Sequence, residues 1–183
     1  FMYIYNLNKT NNSSLPILDP DYNYDTLYSK ENMRDFFKSI QKPEQTTFIT
    51  GIYIQYHITP YLYEKFPDFY YHFYQPIEDS IQEHFNFDYA NLYSERSDSY
   101  FIVTFNITEQ EISNAIDSLY QKLAHQTFTY HQNECEIQLK CGVYFSHVRI
   151  NPFDFYQASK KQFDEILCKE QSFLSLQNLL MVR

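Results

Sequence analysis

Glycine is nearly missing from this chain: Gly51 and Gly142 are the only two in 183 residues. Loops that cradle phosphates rely on several glycines, so a Gly-rich nucleotide loop is excluded. Tryptophan is absent, and cysteine is limited to Cys135, Cys141 and Cys168. The three cysteines form no CxxC pair and leave one unpaired in any bridge scheme, which argues for reduced thiols in a cytosolic domain. Cys141 sits in an apolar strand pattern and is expected as a small core residue. No apolar run approaches the ~18 residues of a membrane span. Positive charge is also short: 14 Lys and Arg face 23 Asp and Glu, for a net charge of −9. A field of that sign repels phosphate backbones, so no nucleic acid is expected as a partner. A local basic spot could still hold a single nucleotide.

The usual carriers of chemistry are also thin. The six histidines, His57, His72, His84, His125, His131 and His147, include no i,i+4 pair of a helical zinc site and no recurring carboxylate–histidine motif. Serine and cysteine nucleophiles have no recognisable context. No resident metal or cofactor is expected.

What the chain does have is aromatic side chains, 19 Tyr and 17 Phe, spread along its whole length. Tyr, Phe, Asn, Lys and Ile share AT-rich codons, so compositional bias explains them better than a dedicated stacking surface. With 44% hydrophobic residues the chain can bury the core of one domain. It begins at Phe1 rather than Met, as a piece of a longer protein would, and "FMYIYNL" could be the inner end of a membrane-bound segment.

Asn6 to Tyr24 is aperiodic and rich in Asn, Ser, Pro and Asp, and reads as a linker. "SKENMRDFFKSI" carries Met33, Phe36, Phe37 and Ile40 at helical spacing and ends before Pro43. "TTFITGIYIQYHI", Thr46 to Ile58, is β-branched and aromatic and reads as a strand. A helical pattern then runs from Phe69 to Phe85, with a kink or restart expected at Pro76. "FDYANLYSE" and "YFIVTF" flank a polar turn as a hairpin would. In "TEQEISNAIDSLYQKLA", Thr108 and Glu111 form a capping box ahead of an apolar stripe. "FTYHQNECEIQLKCGVYF" reads as two strands around "HQNE", with Ile137, Leu139, Cys141, Val143 and Phe145 on one face. "PFDFYQASKKQFDEIL" is a last amphipathic helix, and "SFLSLQNLLMV" a further helix, docking segment or connector. The order implies an α/β fold: a central mixed sheet with one antiparallel hairpin, flanked by helices. The expected division is 1–25 linker, 26–167 domain and 168–183 connector.

This order resembles the GGDEF family, the diguanylate cyclase domains, over Thr26 to Ile166. In that family the hairpin turn is Gly-Gly-Asp/Glu-Glu-Phe; here "RSDSY" stands in its place, as Arg96, Ser97, Asp98, Ser99 and Tyr100. "LKCGVY" is similar to the family's "VSIGVA" strand. The family joins two GTP molecules, one on each subunit of a dimer, with divalent metal held by carboxylates. Its glycines admit the nucleotide to the backbone, and its hard cations need oxygen ligands. The chain departs at nearly every one of these points. The metal aspartate of the first strand falls at or beside Gln55, a neutral amide. The guanine-binding stretch falls on "YEKFPDFYYHF", the inhibitory Arg-x-x-Asp on "FDYA" (Phe87 to Ala90), and the last helix's lysine near Ile166.

The resemblance therefore implies a degenerate GGDEF-like regulatory domain, a bacterial pseudoenzyme of the cyclic di-GMP pathway. It would sit in the cytoplasm, or as the cytosolic part of a membrane-anchored protein, with any membrane contact made by flanking segments. It would act as a homodimer that relays a signal to a neighbouring output domain of the same protein. Two alternatives stay open. Arg96, Ser97, Asp98 and Ser99 could hold a phosphate of GTP or a cyclic dinucleotide as a non-catalytic receptor. Or the chain is an α/β protein-interaction domain unrelated to cyclases.

Overall fold

The computed structural model describes residues 17–23, 31–60, 62, 64–123 and 127–163. The "FMYIYNL" start and the "SFLSLQNLLMV" tail lie outside the described residues. In chain order the elements are α1 (Glu31–Ser39), β1 (Ile49–Thr59), α2 (Phe69–His84), β2 (Asn91–Arg96), β3 (Ser99–Phe105), α3 (Glu109–Leu123), β4 (Thr127–Tyr130) and β5 (Asn133–Ser146). A last helix, α4, runs over 152–163.

The five strands form one sheet in the order β2-β3-β1-β5-β4. All four pairings are antiparallel, and there are two hairpins, β2–β3 and β4–β5. The α/β layering follows the sequence, but the sheet is not mixed and its hairpins number two. The reason lies in the crossovers. Helix α2 carries the chain from β1 past β3 to the edge strand β2, and α3 carries it from β3 past β1 and β5 to the other edge strand, β4. The strands that run parallel never touch, which is the split βαβ arrangement.

Each face of the sheet has its own core. Ile52, Ile54, Tyr56 and Ile58 of β1 face one way, with Ile102 and the alternating Ile137, Leu139, Cys141, Val143 and Phe145 of β5. Helix α2 covers them with Ile77 and Ile81, and α3 with Ile112, Ile116, Leu119 and Leu123. The opposite residues, Tyr53, Phe101, Val103 and Tyr144, meet Met33 and Phe37 of α1 and Phe155, Tyr156 and Phe163 of α4.

Local chemistry sets the element ends. The Thr108 and Glu111 capping box is formed: the Thr108 amide donates to Glu111 Oε2 at 2.9 Å, and the Glu111 amide to Thr108 Oγ1 at 3.3 Å. Asn151 starts α4 by accepting the Asp154 amide on its side-chain oxygen at 2.8 Å. The β4–β5 turn places His131 (φ 46°) and Gln132 (φ 64°) in the left-handed region, as a two-residue primed turn requires.

Two expectations are corrected. Helix α2 runs through Pro76 without a restart. Pro76 and His72, whose carbonyl loses its usual donor, both lie on the exposed side of the helix. Water can take up that carbonyl, which lowers the cost of the missing bond. Ile17 and Leu18, within the stretch read as linker, are buried on the α4 face. The Leu18 bridge to Ile150 fixes them there, and Arg149 binds Asp19 and Asp21.

Candidate functional site

The β2–β3 hairpin turns through Ser97 and Asp98, with Arg96 opposite Ser99. Neither turn residue has positive φ, so the backbone here does not call for glycine.

Its side chains bind one another. Arg96 Nη2 donates to Ser99 Oγ at 3.1 Å, and Ser99 Oγ donates to Asp98 Oδ1 at 2.9 Å. Arg96 Nε lies 3.6 Å from Asp98 Oδ1, with the arginine side chain 60% exposed. On the α2 face, the Tyr56 and Tyr100 hydroxyls each lie 2.9 Å from the Ser97 carbonyl. Tyr100 Oη is also 3.2 Å from Glu78 Oε2, so its one proton is shared. The Tyr56 amide donates to the Asp98 carbonyl at 3.0 Å. The Tyr56 and Tyr100 rings are stacked, 6.2 Å apart and 8° from parallel, and Tyr74 packs on Tyr56. Aromatic side chains thus fill the space behind the turn on that face.

Phe66 and Phe73, within "YEKFPDFYYHF", face elsewhere. Phe66 stacks on His131 at 4.4 Å, and Phe73 on Phe128 at 4.1 Å. They wedge the start of α2 against the β4–β5 hairpin.

On the α4 face lies a group that sequence reasoning missed. A register shift between Ser94 and Arg96 leaves Glu95 as the extra residue of a β-bulge. Its side chain is only 5% exposed. Tyr53 of β1 donates to Glu95 Oε2 at 2.5 Å, and Tyr156 of α4 donates to Glu95 Oε1. Lys160 Nζ lies 4.0 Å from Glu95 Oε1, over the rings of Tyr53 (5.5 Å) and Tyr156 (5.6 Å). Burial, and then the Glu95 charge, push both tyrosine hydroxyls far above their usual titration range. The i,i+4 spacing of Tyr156 and Lys160 was readable in the sequence. The bulge that brings Glu95 to them was not.

The metal pair implied by the family resemblance needs several carboxylates converging on hard cations. Gln55, opposite Ser99 and Lys140, offers a neutral amide. The Asp98 carboxylate is held by Ser99 and Arg96, and Glu95 is turned onto tyrosines. Among the described residues no group of three or more His, Cys, Asp or Glu side chains could hold a metal ion. The residues present do not fit a metal pair. Among the described residues, too, no helix is long and apolar enough to cross a membrane.

No protein-family model matches the chain, and no curated protein matches it. Solved structures do. The FimX GGDEF domain from Pseudomonas aeruginosa superposes with a TM-score of 0.55 at 15% identity, over 82% of this chain and 93% of that one. The active GGEEF domain of a diguanylate cyclase from Vibrio cholerae gives 0.51 at 17% identity, over 65% and 76%. An EAL/GGDEF domain protein from M. capsulatus gives 0.53 at 8% identity, over 73% and 86%. The chain therefore has the GGDEF fold.

Proposed function

We propose that this chain is a GGDEF-like domain that keeps the fold without the cyclase reaction, and that it works as a homodimeric relay to a neighbouring output domain in cyclic di-GMP signalling. The observation that carries this reading is the turn itself. Where the family has open glycines, Arg96, Asp98 and Ser99 satisfy one another, and Tyr56 and Tyr100 occupy the Ser97 carbonyl. A nucleotide would have to displace these bonds to approach the backbone. With no carboxylate set suited to a metal pair among the described residues, the charge developing in phosphoryl transfer would go unstabilised.

The test is to incubate the protein with GTP and Mg²⁺ and look for cyclic di-GMP and released pyrophosphate, with sedimentation run on the same sample. No product and a concentration-dependent dimer are expected. Sustained product formation would overturn the loss of catalysis, and a strict monomer would overturn the homodimer.

A further inference from the structure

Glu95 belongs at once to the hairpin and to the seat of α4. Its backbone is the bulge next to the turn, two residues from the Ser97 carbonyl that Tyr56 and Tyr100 hold. Its carboxylate joins Tyr53 of the central strand to Tyr156 of α4, with the Lys160 ammonium above both rings. A carboxylate this deeply buried needs its partners, because an unpaired charge in such a place is costly. If α4 lifts, Glu95 loses Tyr156 and Lys160. If the hairpin shifts, Tyr156 and Lys160 lose Glu95. Each element's resting position is therefore conditional on the other.

We propose that Glu95, Tyr156 and Lys160 form a latch that couples the β2–β3 hairpin to helix α4, so that displacement of the turn is felt as loosening of α4 and the reverse. The latch deepens the relay reading, and rests on it for the claim that such loosening carries a signal. The coupling is a property of this chain that exchange measurements read without any output domain.

The experiment is hydrogen exchange on the full chain, comparing wild type with Glu95→Gln, Tyr156→Phe and Lys160→Met. Glu95→Gln speeds exchange across 152–163 by about tenfold, while α3, on the opposite face of the sheet, keeps its rate. Tyr156→Phe and Lys160→Met, changed only on α4, speed exchange in the hairpin at 91–100. Tyr156→Phe removes a single hydroxyl, so it reports even if Glu95→Gln fails to fold. Uniform acceleration in all elements, or no response of the hairpin to the α4 variants, would overturn the latch. Those outcomes leave the cyclase assay untouched, so the latch and the relay reading fail separately.

Discussion

The two faces of the sheet are closed by different means. On the α2 and α3 face, aliphatic side chains of both helices pack onto the strands beside aromatic rings such as Tyr56 and Phe145, and Ile52, Ile116 and Leu119 are fully buried. On the other face α4 comes down almost onto the strands, and both glycines of the chain lie beneath it. A Cβ at Gly142 would stand 2.3 Å from the backbone nitrogen of Phe163, and one at Gly51 would stand 2.1 Å from Ser159 Oγ. A chain so poor in glycine has placed His131, Gln132, Tyr89 and Asn106 at positive φ instead. Its glycines remain where no Cβ fits. One face is an adaptable apolar core and the other a fitted joint, and the joint carries the Glu95 group.

Substitutions can break that contrast. The largest effect is expected at Gly142→Val, where the obstacle is helix backbone and cannot rotate away; the loss is about 4 kcal/mol or more, read as the shift in the urea midpoint. Gly51→Ala meets only side chains, so Ser159→Ala in the same chain recovers part of its stability. On the adaptable face Leu119→Ala costs about 3 kcal/mol through the cavity it leaves. Leu119→Met costs under about 1.5 kcal/mol. If Leu119→Met proved as damaging as Gly142→Val, the contrast between the faces would be wrong.

The tyrosines on Glu95 sharpen the comparison through pH. Tyr53 and Tyr156 titrate near 10.0 when unfolded and hold their protons far above that when folded. Above that pH the unfolded chain binds fewer protons than the native one, so stability falls as pH rises past 10.0. Tyr156→Phe is expected to make that alkaline loss shallower, measured as the unfolding midpoint between about pH 8 and pH 11. The smallest effect belongs to the far hairpin. Gln132→Gly relieves a left-handed residue and stabilises the protein by about 0.5 kcal/mol, visible as a slight rise in melting temperature.

Much of this was legible in the sequence where local chemistry decides the outcome. Thr108 and Glu111 announced α3, and the alternation from Ile137 to Phe145 announced β5 and its buried face. The polar turn at Ser97 and Asp98 lay where the flanking runs placed it. The illegible parts depend on distant contacts. The strand directions follow from crossovers that skip a strand, which no local pattern encodes. Pro76 is tolerated because its side of α2 is wet, and Ile17 and Leu18 are held by Ile150 far along the chain. Glu95 read as one more strand residue, because a bulge is a matter of register. At the turn, Arg96 to Tyr100 were found by position, but the Ser99 hydroxyl between Arg96 and Asp98, and the tyrosines behind the turn, follow from side-chain placement that no local pattern encodes.

Thermal unfolding with and without GTP, cyclic di-GMP and Mg²⁺ tests the central claim, that the turn is closed on itself, most directly. A ligand held at 100 times its dissociation constant would add about 2.7 kcal/mol, a rise of several degrees at roughly 2–4 °C per kcal/mol for a domain this size. The account predicts no shift with any nucleotide, and only a small change, under about 1 kcal/mol, in Arg96→Ala, whose ion pair is exposed. A nucleotide-dependent rise that disappears in Arg96→Ala would contradict it and make the turn a receptor.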